Sequence, residues 1–128
     1  TVLVEGDDTN EPIADTVRGI IDGHIILSRK IATKNHFPAI DVLGSISRLM
    51  SEIADKGQQE TASKLRNLMS VYEANYDLVS IGAYKKGSNP VLDEAIDKIK
   101  RIDDFLIQKT NEAFDYEETV RMMTEAIQ

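Results

Sequence analysis

Apolar residues spaced three and four positions apart predict a short helix early in the chain. Its apolar face consists of Ile13, Val17, Ile20 and Ile21. The segment Asn10-Glu11-Pro12 supplies a cap and a proline for the first turn. The helix should end near Asp22-Gly23, because glycine readily adopts the left-handed conformation that terminates helices.

The second part of the chain contains only helical patterns. A short helix is expected from Leu49 to Ala54, ending at Asp55-Lys56-Gly57. A long helix follows from about Gln59 to Ser80, with an apolar stripe of Leu65, Leu68, Met69, Tyr72, Tyr76 and Val79. Another begins at Asn89-Pro90 and presents Leu92, Ala95, Ile96, Ile99, Ile102 and Leu106. The last starts near Asp115, with Glu118 at capping-box spacing, and buries Val120, Met123 and Ile127.

Two apolar runs before these helices are typical of strands. Thr1 to Val4 is β-branched and stops at Gly6, and His24 to Leu27 follows the first predicted helix. A cationic stretch and a Phe37-Pro38 corner come next, then an apolar run that ends in a Ser-x-Ser-Arg turn at 45–48. Two strands cannot complete the sheet that they imply. The sequence therefore predicts the C-terminal piece of a larger α/β protein, a sheet remnant to about residue 50 and an all-helical domain after it.

Composition narrows the functional classes. The chain has 128 residues, with 15 basic and 22 acidic side chains and a net charge of -7. This balance argues against nucleic acid as the main partner, because phosphates are bound by clustered lysine and arginine. There is no cysteine and therefore no thiolate metal site. The sequence shows neither an apolar run of about 18 residues nor a leader, so a soluble, cytoplasmic protein is expected.

Four contiguous segments carry a resemblance to a known family. They are Val-Glu-Gly-Asp-Asp-x-Asn-Glu-Pro-Ile-Ala-Asp at 4–15, Asp-Gly-His-Ile-x-Leu-Ser-Arg at 22–29, Asn-His-Phe-Pro-Ala-Ile-Asp-Val-Leu at 35–43, and Ser-Ile-Ser-Arg at 45–48. The chain resembles the F1, V1 and type III export ATPase superfamily, and most closely the flagellar and type III secretion export ATPases. The resemblance implies that residues 1–50 are the C-terminal part of a RecA-like, P-loop nucleotide-binding domain and that 51–128 form the helical C-terminal domain.

The phosphate-binding part of such an ATPase is not in this sequence. No Gly-x-x-x-x-Gly-Lys-Ser/Thr motif is present, so no backbone loop and lysine are available for phosphates. The resemblance implies ATP and Mg²⁺ as cofactors of the full-length protein, bound by residues upstream of this segment. The isolated fragment is expected to be inactive, and no metal ligands are assigned within it.

Arg48 is the residue to which the resemblance gives a catalytic role. Arginine inserted from a neighbouring subunit neutralises charge that develops during phosphoryl transfer. The resemblance implies that Arg48, in Ser-x-Ser-Arg, is such a finger acting in trans in a homohexameric ring. The alternative is an arginine at a helix start that binds a carboxylate.

Phe37 and Gln108 are the candidate contacts to the adenine ring. The resemblance implies that Phe37, held on a stiff corner by the following proline, packs on the adenine of its own subunit. The alternative is a corner residue packed into the domain interface. Gln108, with Phe114 or Tyr116 nearby, is expected to close the other side of the pocket.

The loop at 82–88 is the candidate contact with a stalk protein. It contains Tyr84, Lys85 and Lys86, whereas the corresponding region of the rotary relatives is acidic. An exposed tyrosine and two lysines would suit a transient contact with a negatively charged coiled-coil stalk. A solvated loop without a partner is the alternative.

Other polar residues receive weaker interpretations. Arg29 follows a strand and is either structural or part of a subunit interface. His24 and His36 have no partner histidine and are expected to be packing and turn residues. An acidic group near the N-terminus is interpreted as loop and helix-start residues rather than a metal site: Glu5, Asp7 and Asp8.

The resemblance implies that the full-length protein hydrolyses ATP to unload and unfold export substrates held by chaperones. A regulator, the export gate and substrate–chaperone complexes are the implied partners, at the cytoplasmic side of the inner membrane and peripheral to it. The flagellar and injectisome systems are not distinguished. Two alternatives remain: a fragment of an F- or V-type rotary ATPase, and a non-catalytic helical adaptor that binds a coiled coil.

Overall fold

The computed structural model describes residues 4–128. They form a two-stranded sheet with short helices around it, followed by a helical domain, which confirms the predicted fold class. Residues 1–3 of the strand predicted at Thr1 to Val4 lie outside the described part, and Val4 immediately precedes a one-turn 3-10 helix at Glu5–Asp7. No helix within 4–128 combines the length and the apolar character needed to span a bilayer.

Helix α1 spans Pro12–Ile20 and begins where the sequence predicts. The Glu11 carboxylate caps it by accepting hydrogen bonds from the backbone N–H groups of Ile13 and Ala14. The predicted ending at a left-handed glycine is wrong. The helix ends at Ile20, and Gly23 begins the next strand in close approach to its neighbour, since a Cβ there would lie 2.7 Å from the Ile46 carbonyl oxygen.

The sheet pairs β1 (Gly23–Leu27) with β2 (Ile40–Ser47) in antiparallel orientation. The prediction of a turn at 45–48 is wrong, because the run after the Phe37-Pro38 corner continues as a strand to Ser47. The register changes in the middle of the pair. Ile26 faces Asp41 and His24 faces Ile46, so residues 42–45 lie opposite Ile25 alone. This stretch, 42–45, is called the β2 bulge below.

Short helices flank the sheet and lead into the helical domain. Helix α2 is Arg29–Ala32, between the strands, and α3 is Met50–Ile53, within the range predicted for it. Helix α4 follows at Lys56–Ala74 and is capped by the Asp55 carboxylate, which accepts from the N–H of Gln58 at 2.8 Å.

The long helix predicted from Gln59 to Ser80 is two helices in the structure. Helix α4 ends at Ala74, and α5 (Tyr76–Ser80) begins after Asn75, where φ is -113° and ψ is 9°. The side chain of Asn75 donates to the Val71 carbonyl at 2.8 Å and so binds the free end of α4.

Helices α6 (Pro90–Leu106) and α7 (Tyr116–Ile127) complete the domain with the predicted caps. Asn89 accepts from the first turn of α6, and Asp115 and Glu118 form both hydrogen bonds of a capping box at α7. The core lies between α4, α6 and α7 and contains the buried side chains Leu65, Leu68, Ala95, Ile102, Ala126 and Ile127.

Candidate functional site

Arg48 lies directly after β2 with an exposed side chain. Its backbone N–H donates to the Asp22 carbonyl at 2.8 Å, and its guanidinium donates to the Arg18 carbonyl near the end of α1 at 3.1 Å. Within residues 4–128, no carboxylate lies within ion-pair distance of Arg48. Within the described residues, Arg48 therefore does not bind a carboxylate, which was the alternative interpretation of this arginine.

The β2 bulge immediately before Arg48 is bound by an arginine that the sequence did not single out. Arg66, on α4, donates to three backbone carbonyls of the bulge. Its Nη1 lies 2.6 Å from the Val42 oxygen and 3.3 Å from the Ser45 oxygen. Its Nη2 lies 3.2 Å from the Leu43 oxygen. No local pattern around Arg66 predicts these contacts, because its partners are more than 20 residues away in the chain.

Three further polar groups of the bulge, on Gly44 and Ser45, form hydrogen bonds with His24, Ile26 and Asp41. His24 Nε2 lies 3.2 Å from the Gly44 carbonyl oxygen. The Asp41 carboxylate accepts from the Gly44 N–H at 3.0 Å, and the Ser45 hydroxyl accepts from the Ile26 N–H at 3.0 Å. All four carbonyls of the bulge and the Gly44 N–H thus have hydrogen-bond partners on side chains.

The Phe37-Pro38 corner is bound to the segment after α6. The N–H of Gln108 donates to the Phe37 carbonyl at 2.9 Å, so the structure brings together these two predicted adenine contacts. Phe37 is 50% exposed, so part of this aromatic residue is accessible to a ligand. The Gln108 side chain donates to the Glu112 carbonyl at 2.8 Å and shapes its own loop.

Tyr116 lies at the first position of α7, and its ring is 66% exposed. Its hydroxyl donates to the Gln58 side chain at the start of α4 at 2.5 Å rather than to the Phe37 corner. Phe114 is 44% exposed on the loop between the two helices. The adenine role of these side chains stays a prediction.

The polar turn before Phe37 also contacts the helical domain. The Lys34 ammonium lies 5.8 Å from the centre of the Tyr76 ring on α5, within cation–π range. Burial raises the pKa of the Asp103 carboxyl on α6, while the nearby charges of His36 and Lys34 oppose that rise. Residues 34–37 therefore rest against α5 and α6.

The loop at 82–88 differs from the expectation of an exposed tyrosine. Tyr84 is half-buried, and its hydroxyl donates to the Asp93 carboxylate at 2.6 Å. The other carboxylate oxygen of Asp93 accepts from the Gly87 N–H at 2.9 Å. Desolvation raises the pKa of the Tyr84 hydroxyl, and the hydrogen bond to Asp93 raises it further. The exposed cations of this loop are Lys85 and Lys86.

The acidic residues near the N-terminus form local contacts. Asp7 pairs with Arg29 at 3.1 Å, and both side chains are exposed. Asp8 accepts from the Asn10 N–H at 3.0 Å in a turn. Among the residues described, no three His, Asp or Glu side chains are grouped so as to hold a metal ion.

Two family models match successive parts of the chain. Residues 1–47 match the nucleotide-binding domain of the ATP synthase alpha/beta family. Residues 54–125 match the C-terminal domain of the type III secretion ATPase EscN, and this match covers more than half of the chain. The chain belongs to the type III secretion ATPase family. The resemblance inferred from the sequence is therefore confirmed.

Individual members of the type III secretion ATPase family are similar over nearly the whole chain. The flagellum-specific ATP synthase of Bacillus subtilis is 53% identical over 97% of this chain. The assembled ATPase EscN of the enteropathogenic E. coli type III secretion system matches 100% of the chain with a TM-score of 0.96 and 39% identity. EscN in complex with its central stalk EscO matches 91% with a TM-score of 0.86 and 38% identity.

The chain spans 28% of the length of the flagellum-specific ATP synthase. It spans 31% of the assembled EscN chain and 29% of the EscN chain in the stalk complex. What these family members do as whole proteins involves residues outside this chain.

Proposed function

We propose that this chain is the C-terminal part of a subunit of a flagellar or type III protein-export ATPase. In a homohexameric ring, ATP hydrolysis would drive the release and unfolding of export substrates from their chaperones. The family match and the close structural similarity to EscN support this proposal. The isolated chain would be inactive, because it has no phosphate-binding loop.

The proposed division lies near residue 50, between a nucleotide-binding part (1–50) and a helical part (51–128). The boundaries of the two family models support it. Large apolar side chains on the first part are open to solvent: Ile13, Ile20, Ile25 and Leu27 are each at least 70% exposed. Surfaces of this kind are normally covered, which fits a sheet that continues in the upstream part of the polypeptide.

Arg48 carries the catalytic part of the proposal. It is exposed at the end of a well-bonded strand, and its guanidinium has no carboxylate partner among the described residues. A guanidinium in this state is available to a phosphate group on a neighbouring subunit. We assign it the role of a finger that neutralises charge on the transferring phosphoryl group.

Phe37, Gln108 and Tyr116 are the proposed contacts to the base of ATP. The exposed aromatic side chain of Phe37 would pack on the adenine ring, and the hydrogen bond from the Gln108 N–H holds the backbone of the corner next to the segment after α6. Bound ATP would supply the reactive phosphates, and Mg²⁺ would be held by residues upstream of this chain. The residues described here would orient the base and the finger.

The loop at 82–88 is the proposed contact with a coiled-coil central stalk. EscN forms a complex with its central stalk EscO, which supports this placement. Lys85 and Lys86 would meet acidic side chains of the stalk, while Tyr84 would hold the loop in shape through Asp93. We further propose a regulator, the export gate and substrate–chaperone complexes as partners, at the cytoplasmic face of the inner membrane.

The finger is tested in the full-length, assembled protein. Arg48→Ala should lower kcat for ATP hydrolysis by about 10³-fold or more, because an arginine finger contributes about 10³ to 10⁵. Arg48→Lys should restore little of this loss, since an ammonium cannot bind phosphate oxygens in the bidentate manner of a guanidinium. Unchanged hydrolysis by an assembled Arg48→Ala ring would contradict the proposal.

A mixed-ring assay tests whether Arg48 acts in trans. Subunits with Arg48→Ala keep their own phosphate site, and subunits with a disabled phosphate-loop lysine keep Arg48. Mixed rings should recover part of the activity, because some interfaces then combine both intact elements. No recovery in mixed rings would indicate action within one subunit.

The alternative of a non-catalytic adaptor would gain support if the native polypeptide contained no phosphate loop, as judged from its intact mass and sequence.

A further inference from the structure

Within residues 4–128, the β2 bulge places three backbone carbonyls where β1 does not pair with them. Residues 42–45 face only Ile25 on β1, so the regular ladder is interrupted between Asp41 and Ile46. Unpaired carbonyls that are partly removed from water destabilise the conformation that contains them. Another group must therefore donate to the bulge if β2 is to keep this register.

Arg66 is the group that does so. Its planar guanidinium donates to the oxygens of Val42, Leu43 and Ser45 at 2.6 to 3.3 Å, from a half-buried position on α4. Only arginine has several N–H donors in a rigid fork that can reach separate acceptors at once. A lysine ammonium would keep the charge but not this geometry.

The position of the bulge connects it with Arg48. Ser45, the last bulge residue bound by Arg66, lies three positions before Arg48. The other local contacts of Arg48 are hydrogen bonds to the carbonyls of Asp22 and Arg18. Without Arg66, β2 could shift toward a regular register, and a shift of one residue turns every side chain to the opposite face.

We propose that Arg66 is a positioning residue that fixes the β2 bulge and thereby the location of Arg48 at the subunit interface. The proposal rests on the proposed role of Arg48 as a finger. It also assigns the helical domain a part in catalysis, since Arg66 belongs to α4. Helix α4 holds the strand that presents the finger, and any displacement of α4 would be passed to Arg48.

The test compares single and double variants of the full-length, assembled protein. Arg66→Gln should lower kcat for ATP hydrolysis by about 10- to 100-fold with little change in KM, because displacing a catalytic group by about 1 Å costs about 10²-fold. Arg66→Lys should give a smaller loss in the same direction. Arg101→Gln is the matched control, since Arg101 is exposed on α6, and its kcat should equal that of the unchanged protein.

The decisive measurement is the effect of Arg66→Gln in the Arg48→Ala background. If Arg66 acts through Arg48, the double variant should hydrolyse ATP no more slowly than Arg48→Ala alone. Amide exchange of residues 42–48 should be faster in Arg66→Gln than in the unchanged protein. The mass of the assembled ring should be the same for both. If Arg66→Gln disturbs assembly, Arg66→Lys replaces it, both in the otherwise unchanged protein and in the Arg48→Ala variant.

Two results would overturn the positioning role while leaving the finger intact. One is an equal fold-loss from Arg66→Gln in both backgrounds, which would indicate a general structural effect. The other is no loss of kcat from Arg66→Gln in a ring where Arg48→Ala does lower kcat by about 10³-fold. If Arg48→Ala itself has no effect, the proposed finger fails, and the positioning role falls with it.

Discussion

Ile102 is the buried residue whose truncation should most clearly test the packing of the helical domain. Its side chain is 0% exposed at the centre of the cluster that joins α4, α6 and α7. Ile102→Ala removes three carbons, worth about 2.4 kcal/mol of transfer free energy at about 0.8 kcal/mol each. The cavity left behind adds to this, so the free energy of unfolding should fall by about 3 to 5 kcal/mol.

The assay is urea unfolding of the 128-residue chain, followed by its helical circular dichroism. With an m-value of about 1.5 kcal/mol/M, the midpoint should move down by about 2 to 3 M. Ile102→Val gives a graded comparison, with an expected loss of about 0.5 to 1.5 kcal/mol. Ile53→Ala is the matched control at a side chain that is 78% exposed, and its effect should stay within about 0.5 kcal/mol.

Equal midpoint shifts for Ile102→Ala and Ile53→Ala would refute the packing described for the three helices. A large shift with a changed m-value would point instead to a change in how cooperatively the chain unfolds. The specific expectation is therefore that the free energy of unfolding falls most in Ile102→Ala, less in Ile102→Val and least in Ile53→Ala.

Two further predictions concern polar contacts of the helical domain. Hydrogen bonds from Lys98, and then from Lys64, hold the pKa of Glu94 at about 2, so its stabilising contribution should be complete above the ordinary pKa of 4.5 and be lost as pH falls toward 2. Glu94→Gln should therefore lower the urea midpoint more at pH 7 than at pH 2, by a modest amount because the Glu94 side chain is 37% exposed. An equal effect at both pH values would contradict this. Tyr84→Phe removes the hydroxyl that binds Asp93 and should speed amide exchange across residues 84–89 while the thermal midpoint of the whole domain stays nearly constant. Unchanged exchange rates there would show that the loop keeps its shape without that hydroxyl.

Local patterns predicted the starts of α1, α6 and α7 correctly, whereas α4 begins three residues before the predicted Gln59 and the short helices α2 and α5 were not predicted. The caps at Asn89 and Asp115 depend on residues within three positions of each other, and the structure has both. The core of the helical domain was also predictable, since Leu65, Leu68 and Ile102 lie at helical spacing. Information of this kind is present in a short window of sequence.

The errors arose where a distant partner decides the conformation. Strand β2 contains Asp41 and Gly44, which weaken a strand pattern, and the donor to its bulge, Arg66, lies more than 20 residues further along the chain on α4. Tyr84 was expected to be exposed because its partner Asp93 lies on the next helix. The break at Asn75 was missed because the apolar stripe continues through it.

The residues of the candidate site also differ in whether the sequence could reveal them. Arg48 and Phe37 were found through the family resemblance, and their roles stay predictions. The proximity of Gln108 to Phe37 could not be worked out from spacing, since it depends on how α6 ends against the corner. Arg66 gave no sequence signal at all, although it is the main polar link from the helical domain to β2.

The hydrogen bond between Gln108 and Phe37 joins main-chain atoms only. The bond itself therefore uses no side-chain atom, although the Gln108 side chain separately binds the Glu112 carbonyl within its own loop. Exchange of the Phe37 ring changes what the corner offers a ligand but removes neither atom of this hydrogen bond. Proline at 108 is the substitution that removes the donor itself. The corner can thus change its chemistry toward a ligand over evolutionary time without losing its support.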